Sequence, residues 1–382
     1  MNAEILHSGF DGLKFTVMTN IPAELRAVLA AAKAEATKTN AEVYVRLGSR
    51  DLAVRRSGGM AFSAHTGEYG AEWYFLDPEN RPANNPGVTV DFRAFLLATQ
   101  GLDGAEAHFR ECMDAFGIPY TENVLRVSRV DFAVDILAPW FAPDRGALVV
   151  PPGTRVREHT GVDETETHAT GTRVTGLRAG SIANRQLVIY DKRQEVIQQH
   201  KLGWLPIWNE ALKRMSLPPL DLADRDASQV WRFELRLGSK QLRNRWEMRS
   251  WDDVREKVGD AFTEFCERVR YASPTLDTNR SRWPAHRLWR IVEAIVSQSL
   301  HQHRLGVLPE AVKDANRAEH MLMLDRQILG LFVSRAAACG VVPEDFPQFV
   351  ADHAGSILRL SDEHPRPIGE RIYRAAGRYR FR

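Results

Sequence analysis

Three predicted strands each carry one side chain that could act on a phosphate group. Asp131 lies in the first stretch, Tyr190 ends the second, and Glu234 lies in the third. Apolar and polar residues alternate around Asp131 and around Glu234, which predicts β-strands with one apolar face and one polar face. The run 186–190 is predicted as a third strand. If the three strands belong to one sheet with their polar faces on the same side, the two carboxylates and the phenol converge.

A tyrosine beside carboxylates suits the transfer of a nucleic-acid strand. Its phenolate can form a phosphodiester with a backbone phosphate, which conserves the energy of the broken bond for a later reversal by a 3′-hydroxyl. Because the ordinary pKa of a phenol is about 10, the site must remove its proton and neutralise the charge that develops on phosphorus. Lys192 offers a cation two residues away.

A divalent metal ion held by Asp131 and Glu234 would supply further positive charge and orient the phosphate for in-line attack. Hard carboxylate oxygens favour Mg²⁺ or Mn²⁺. Glu195 follows Tyr190 by five residues, which is about one turn into a helix that we expect to begin near Asp191. Glu195 is therefore a candidate third ligand or general base.

In their order along the chain, these segments resemble the replication initiation factor (Rep_trans-type) family. That family includes initiators of rolling-circle plasmids, filamentous phages and some integrative elements. The resemblance covers about Val124 to Arg243 well and the first 120 residues only loosely. The segments that carry it are Ser128 to Asp135, Gly176 with Arg178, Val188 to Lys192, and Trp231 to Glu234.

The resemblance implies an endonuclease that nicks and rejoins one DNA strand at an origin through a 5′-phosphotyrosine link, with a divalent metal. By position, Tyr190 matches the nucleophile. The acidic residues of the metal site are matched by Asp131, Glu195 and Glu234. Lys192 and Arg185 fall where the family carries basic residues near the phosphate, and Arg178 is a further candidate DNA contact. The acidic stretch 158–168 has no counterpart that we can match.

Other interpretations of the same residues stay open. A conjugative relaxase would need the same nucleophile and metal, and a non-catalytic DNA-binding regulator could keep the fold for recognition alone. On a solvated sheet face, Arg129 with Asp131 and Arg232 with Glu234 could form ion pairs. Tyr190 by itself would more commonly pack half of its ring.

Another group of rolling-circle nickases binds metal through a His-hydrophobic-His pair. The only such spacing in this chain is at His301 and His303, with the polar Gln302 between them. It lies in a helical stretch, and we interpret it as solvated surface.

The elements that must position these residues indicate an α+β fold, because strands and helices follow one another without a βαβ repeat. We predict a catalytic domain with an antiparallel-rich sheet over residues 1–260 and a helical domain over 270–382 that binds DNA or mediates dimerisation. Pro, Ser, Thr and Asn accumulate between them, near 270–284. Ser250 and Asp253 have the spacing of a helix start.

Two arginine-rich segments are candidate DNA contacts. Six arginines lie between 268 and 290, among them Arg280 and Arg282, with three aromatic residues interleaved. Arginines for phosphates and aromatics for unstacked bases suit single-stranded or melted DNA; the alternative is that the aromatics anchor a helix whose arginines are solvated. The tail 364–382 carries six more arginines, including Arg378 and Arg380. It could be a terminal arm that binds the phosphates of the DNA backbone.

Composition narrows the class of protein. A net charge of +2 over 382 residues does not by itself argue for nucleic-acid binding. Three widely spaced cysteines predict neither disulfides nor a zinc ribbon. Without a phosphate-binding loop motif, unwinding would need a host helicase. No apolar run reaches the roughly 18 residues of a membrane span, so we expect a cytoplasmic protein, which could act as a homodimer with one tyrosine from each subunit.

Overall fold

The computed structural model describes residues 3–58, 61–79, 86–159, 174–298 and 309–376. It confirms the predicted α+β class. The chain forms two compact units, Met1–Val312 and Lys313–Phe381. No helix in the described ranges is long and apolar enough to cross a membrane.

One large sheet dominates the first unit. Eleven strands are joined in the order β2-β3-β4-β5-β6-β1-β7-β12-β11-β10-β9, and each neighbouring pair in the described chain is antiparallel. A separate two-stranded ladder joins β8 to β13. The strands are β1 (Glu4–Val17), β2 (Val43–Leu47), β3 (Arg50–Val54), β4 (Phe62–His65), β5 (Ala71–Phe75), β6 (Val88–Phe92), β7 (Leu125–Leu137), β8 (Leu148–Val149), β9 (Val156–His159), β10 (Gly176–Gly180), β11 (Arg185–Asp191), β12 (Val230–Gly238) and β13 (Arg270–Tyr271).

Helices connect and cover these strands. The predicted helix start at Ser250 is confirmed: its hydroxyl accepts from the Asp253 amide at 3.1 Å, and the Asp253 carboxylate accepts from the Ser250 amide at 3.0 Å. The helices are α1 (Ala23–Thr39), α2 (Ala94–Ala115), α3 (Lys192–Gln198), α4 (Trp204–Arg214), α5 (Ser239–Asn244), α6 (Trp251–Arg268), α7 (Arg287–Ser297), α8 (Pro309–Ala338), α9 (Phe346–Asp362) and α10 (Ile368–Ala376).

The three strands predicted to carry the chemistry lie side by side as β7, β12 and β11. The apolar face of β7 is fully buried in the main core, where Phe132 lies 5.9 Å from Phe262 of α6 between ring centroids. The opposite, charged face is buried as well. Helix α4 covers part of it, and Trp208 donates its indole N–H to Asp135 at 2.9 Å. The solvated face assumed in the ion-pair interpretation is therefore wrong.

The segment that we interpreted as a domain boundary, near 270–284, lies inside the first unit. Tyr271 is 2% exposed and Trp289 of α7 is 0% exposed, with the Trp289 ring 6.5 Å from Phe233 of β12. These aromatic side chains tie α7 to the sheet. The two compact units divide after α7, between residues 312 and 313, rather than between 260 and 270.

Gly238 allows the turn between β10 and β11 to approach the end of β12. A Cβ at this position would lie 1.9 Å from the carbonyl oxygen of Ile182, a backbone atom that cannot rotate away. The Gly238 amide also donates to the Asn184 carbonyl at 2.7 Å. A side chain at Gly238 would therefore force the turn off the sheet.

We expect Gly238→Ala to lower the free energy of unfolding by about 1–3 kcal/mol, because it overpacks backbone against backbone. Gly259→Ala is the matched control: Gly259 lies within α6 with open space around it, so alanine should stabilise the helix by up to about 1 kcal/mol. Urea unfolding of both variants measures the difference. Equal effects would contradict the close approach at Gly238.

Candidate active site

The pairing register places the three predicted residues on one side of one sheet. In β7 and β12, Asp131 lies opposite Arg236, and the next pair on that face contains Glu234. In β12 and β11, Tyr190 lies opposite Arg232, two residues from Glu234. Directly opposed residues point to the same face, as do residues two apart. Asp131, Glu234 and Tyr190 therefore share a face.

The Tyr190 phenol lies among charged groups. Lys192, the first residue of α3, donates from its ammonium group to the phenol oxygen at 3.5 Å. Burial, together with the negative charge of Glu195, raises the pKa of Tyr190 well above its usual value. The phenol is thus protonated at neutral pH, and this structure holds it in its unreactive form.

A buried arginine anchors the Tyr190 end of the face. The Arg232 guanidinium is completely buried and donates twice to Asp135, at 2.6 and 2.7 Å, and once to Asp11 at 2.5 Å. Its central carbon lies 4.2 Å from the ring centroid of Trp204, which also lies 4.9 Å from the Lys192 ammonium. The Trp204 indole thus contacts two cations, Arg232 and Lys192, beside the Tyr190 phenol.

Glu195, our candidate third ligand or base, belongs to this cationic group. It forms ion pairs with Lys192 and with Lys201, the latter at 2.8 Å. Burial opposes its ionisation, but the two lysines together lower the pKa of Glu195 to about 2. Glu195 is therefore a charged carboxylate that holds Lys192 in place.

The two predicted metal ligands lie farther along the same face, each paired with an arginine. Arg236 donates two hydrogen bonds to the Glu234 carboxylate, at 2.7 and 3.1 Å. One terminal nitrogen of Arg129 forms an ion pair with Asp131 and lies 3.9 Å from Glu234. Burial, with repulsion from Glu234, raises the pKa of Asp131 to about 7 despite Arg129. A cation already lies between the two carboxylates.

These residues fit a divalent metal only in part. Across the described ranges, no three His, Cys, Asp or Glu side chains are grouped as metal ligands, and Glu195 does not join the other two carboxylates. Asp131 nevertheless has both carboxylate oxygens buried without a well-formed hydrogen bond to any described residue. Asp131 and Glu234 suit a site of the Mg²⁺ type, in which phosphate and water complete the coordination.

Sequence reasoning missed several members of the site. Asp11 and Gly12 lie in β1, where the register with β7 is irregular. A Cβ at Gly12 would lie 2.5 Å from the Asp131 carboxylate, so glycine makes room for it. Although burial opposes its ionisation, Arg232 and Lys192 lower the pKa of Asp11. Nothing local in the sequence marks Asp11, because its role depends on Arg232, 221 residues away.

The predicted DNA-contacting arginines are spread over different surfaces. Arg178 of β10 lies opposite Val188 and so shares the face of Tyr190. Arg185 projects from the other face, where it donates to Gln241 at 2.9 Å and pairs with Glu264 of α6 at 3.3 Å. The expected position of Arg185 near the phosphate is wrong, since a residue an odd number of places from Tyr190 points to the opposite side.

The aromatic residues between 268 and 290 are not available to stack on bases. Tyr271, Trp283 and Trp289 are all buried, which agrees with the alternative that they anchor the fold. Arg280 and Arg282 are exposed; Arg280 lies over the Trp283 ring at 5.3 Å and Arg282 lies 3.6 Å from Asp277. Several features named in the sequence analysis lie outside the described ranges: Arg378, Arg380, the 301–303 histidine pair and most of the acidic stretch 158–168.

The raised pKa of Asp131 predicts a pH-dependent stability. Its folded pKa of about 7 exceeds the unfolded value of 3.8, so its contribution is complete below pH 3.8 and is lost as pH rises through about 7. Between pH 5 and 8, wild type should lose about 2–4 kcal/mol of unfolding free energy relative to Asp131→Asn. Urea unfolding at both pH values measures it.

Asp253→Asn is the control for this measurement. The pKa of Asp253 is lowered to about 2, because Lys257 and backbone amides outweigh burial. Its contribution is lost only as pH falls below the unfolded value, so its difference from wild type should stay constant between pH 5 and 8. A constant difference for Asp131→Asn as well would show that Asp131 is ionised throughout.

The chain was compared with protein families, curated proteins and solved structures. No protein-family model matches the chain, and no curated protein matches it. Among solved structures, the chain is similar to a rolling circle replication initiator protein from Geobacillus stearothermophilus, with 15% sequence identity and a TM-score of 0.38 over 80% of this chain and 99% of that chain. A score of this size does not establish a shared function.

Proposed function

We propose that the protein is a rolling-circle replication initiator that nicks one DNA strand with Tyr190 as nucleophile. The observation that carries the proposal is the register of β7, β12 and β11, which gathers a phenol, two carboxylates and buried cations on one sheet face. Such a set has no evident purpose in a core, since burying charges costs more free energy than packing apolar groups there.

Attack begins with loss of the Tyr190 proton, because its pKa is raised and the neutral phenol is a poor nucleophile. Lys192 lies 3.5 Å from the phenol oxygen. In the resting site Lys192 is an ammonium ion; burial, and then the charge of Arg232, lower its pKa, which enlarges the neutral fraction that can accept the Tyr190 proton. Glu195 orients Lys192 through their ion pair.

The phenol oxygen then bonds to phosphorus and the bond from phosphorus to the 3′-oxygen breaks. The protein is left on the 5′ end and a 3′-hydroxyl is free to prime synthesis. Arg232, fixed by Asp135 and Asp11, favours the phenolate, because its positive charge opposes the raised pKa of Tyr190. If a Mg²⁺ or Mn²⁺ ion binds, Asp131 and Glu234 would hold it, and it would supply Lewis acidity to the phosphate.

The proposal extends to partners. The substrate is origin DNA in single-stranded or melted form, with Arg178 on the catalytic face and Arg280 and Arg282 on the surface as phosphate contacts. A host helicase would unwind the duplex beyond the nick. A homodimer would bring a second tyrosine to the terminating cleavage.

Tyr190→Phe should abolish nicking while DNA binding persists, because only the attacking oxygen is removed. Supercoiled DNA carrying the protein's own origin is incubated with Mn²⁺ or Mg²⁺, and denaturing gels detect the nicked circle with covalently attached protein. We expect a loss of about a thousandfold or more. Tyr120→Phe, in a tyrosine that packs on Phe109, serves as control. An adduct formed by Tyr190→Phe would exclude Tyr190 as the nucleophile.

Asp131→Asn and Glu234→Gln should each slow nicking by about 10–100-fold or more, since they weaken metal binding, yet change DNA affinity little. Raising the Mn²⁺ concentration should restore part of the rate. Asp77→Asn, which removes a carboxylate paired with Arg26 at 2.9 Å far from the site, is the matched control. Wild-type nicking rates in both variants would leave these carboxylates as ion-pair partners only.

A further inference from the structure

A cavity of about 520 Å³ opens on the sheet face that carries the candidate active site. Its floor is formed by neighbouring strands: Lys14 lies opposite Arg129, Thr16 opposite Thr89, and Thr89 opposite Tyr74. A volume in this range suits a ligand of nucleotide size. Because Arg129 also contacts Asp131 and Glu234, the cavity adjoins the two carboxylates.

One wall of the cavity is the turn between β10 and β11, through Ile182 and Ala183. This turn is fixed to the start of α5, since the Lys240 amide donates to the Ala183 carbonyl at 3.0 Å. Ile182 is 48% exposed, which leaves an apolar side chain at the rim. This wall is therefore fixed in place, and the exposed Ile182 side chain offers an apolar surface to a bound ligand.

The lining chemistry favours an anionic, partly aromatic ligand. Lys14 and Arg129 contribute cations, Ser239 and Tyr74 contribute hydroxyl groups, and the lining residues include no carboxylate. The Thr16 and Ser128 hydroxyls donate to the backbone carbonyls of Arg126 and Lys14, so they offer a ligand only acceptors. Lys14 forms an ion pair with Asp91 at 3.2 Å, which partly neutralises the charge of Lys14. The Nε group of Arg129 is buried and donates no hydrogen bond to a described residue.

We propose that this cavity binds one nucleotide of the DNA strand that the site cleaves. Its base would lie against Tyr74 and Ile182, and its phosphate would face Lys14 and Arg129. An aromatic ring with an aliphatic neighbour suits a base of any identity, because every base has a stacking face. The inference rests on the proposed function, since it takes the bound strand to be the one presented to Tyr190.

Binding is tested with the full chain in a Tyr190→Phe background, so that cleavage does not interfere. The probe is a fluorescein-labelled oligonucleotide of twelve thymidines, followed by fluorescence anisotropy at low salt. Adding Tyr74→Ala should weaken binding about fivefold or more, and Tyr74→Phe, which keeps the ring, should bind like the parent. Lys14→Gln should reduce the slope of affinity against salt by about one phosphate contact.

Tyr120→Ala, which truncates a half-buried tyrosine outside the cavity, is the control and should leave affinity within about twofold. A thermal melt shows whether each variant is folded, and the Tyr74→Phe result stands even if alanine unfolds the strand. Replacing thymine with 5-iodouracil and irradiating should crosslink the peptide that contains Tyr74.

Unchanged affinity in Tyr74→Ala, or crosslinks confined to other peptides, would overturn the nucleotide subsite even if Tyr190 forms its adduct. Conversely, a Tyr74-dependent loss of binding with no Tyr190 adduct would support a strand-binding cavity while refuting the nickase. The failure of either idea is thus distinguishable from the failure of the other.

Discussion

The contact on which the site depends most is the buried pairing of Arg232 with Asp135 and Asp11. It joins the centre of β12 to β7 and β1, and Trp204 of α4 covers it. Removing one member of such a group leaves an uncompensated buried charge, at a cost of about 3–5 kcal/mol. The same arginine faces Tyr190 across the β11–β12 pair. Stability and chemistry therefore depend on one guanidinium, which accounts for a charged group at the centre of a sheet.

Burial also explains the electrostatic state of the site. Low polarity raises the pKa of both Tyr190 and Asp131, while ion pairs lower the pKa of Glu195. A protonated phenol and a carboxylate that titrates near neutrality thus lie on one sheet face, and a fully ionised carboxylate of α3 pairs with the lysine beside the phenol. Groups whose environments separate their pKa values are suited to different roles in proton transfer. An incoming phosphate would add negative charge beside cations that are already in place.

Much of this arrangement was visible in the sequence, for identifiable reasons. Alternation marked the strands that became β7 and β12, the run ending at Tyr190 marked β11, and the Ser250 and Asp253 pair marked the start of α6. The errors have equally specific causes. Arg185 was assigned from its nearness in sequence to Tyr190, although odd spacing puts it on the opposite face. The segment 270–284 has the composition of a linker, but the buried side chains of Tyr271 and Trp283 anchor its two ends in the first unit, while 274–282 is largely exposed.

By itself, the sequence determined which residues share a face within each strand, because side chains alternate with a period of two. It could not determine which strands are neighbours or in what register, and a slip of one residue would turn every polar group to the other side. The tertiary structure decided this by inserting β1 beside β7, which brings Asp11 to Arg232 and Gly12 to Asp131. It also placed α4 over the charged face. These contacts join residues far apart in the chain, and hydrophobic burial of the whole sheet holds them together.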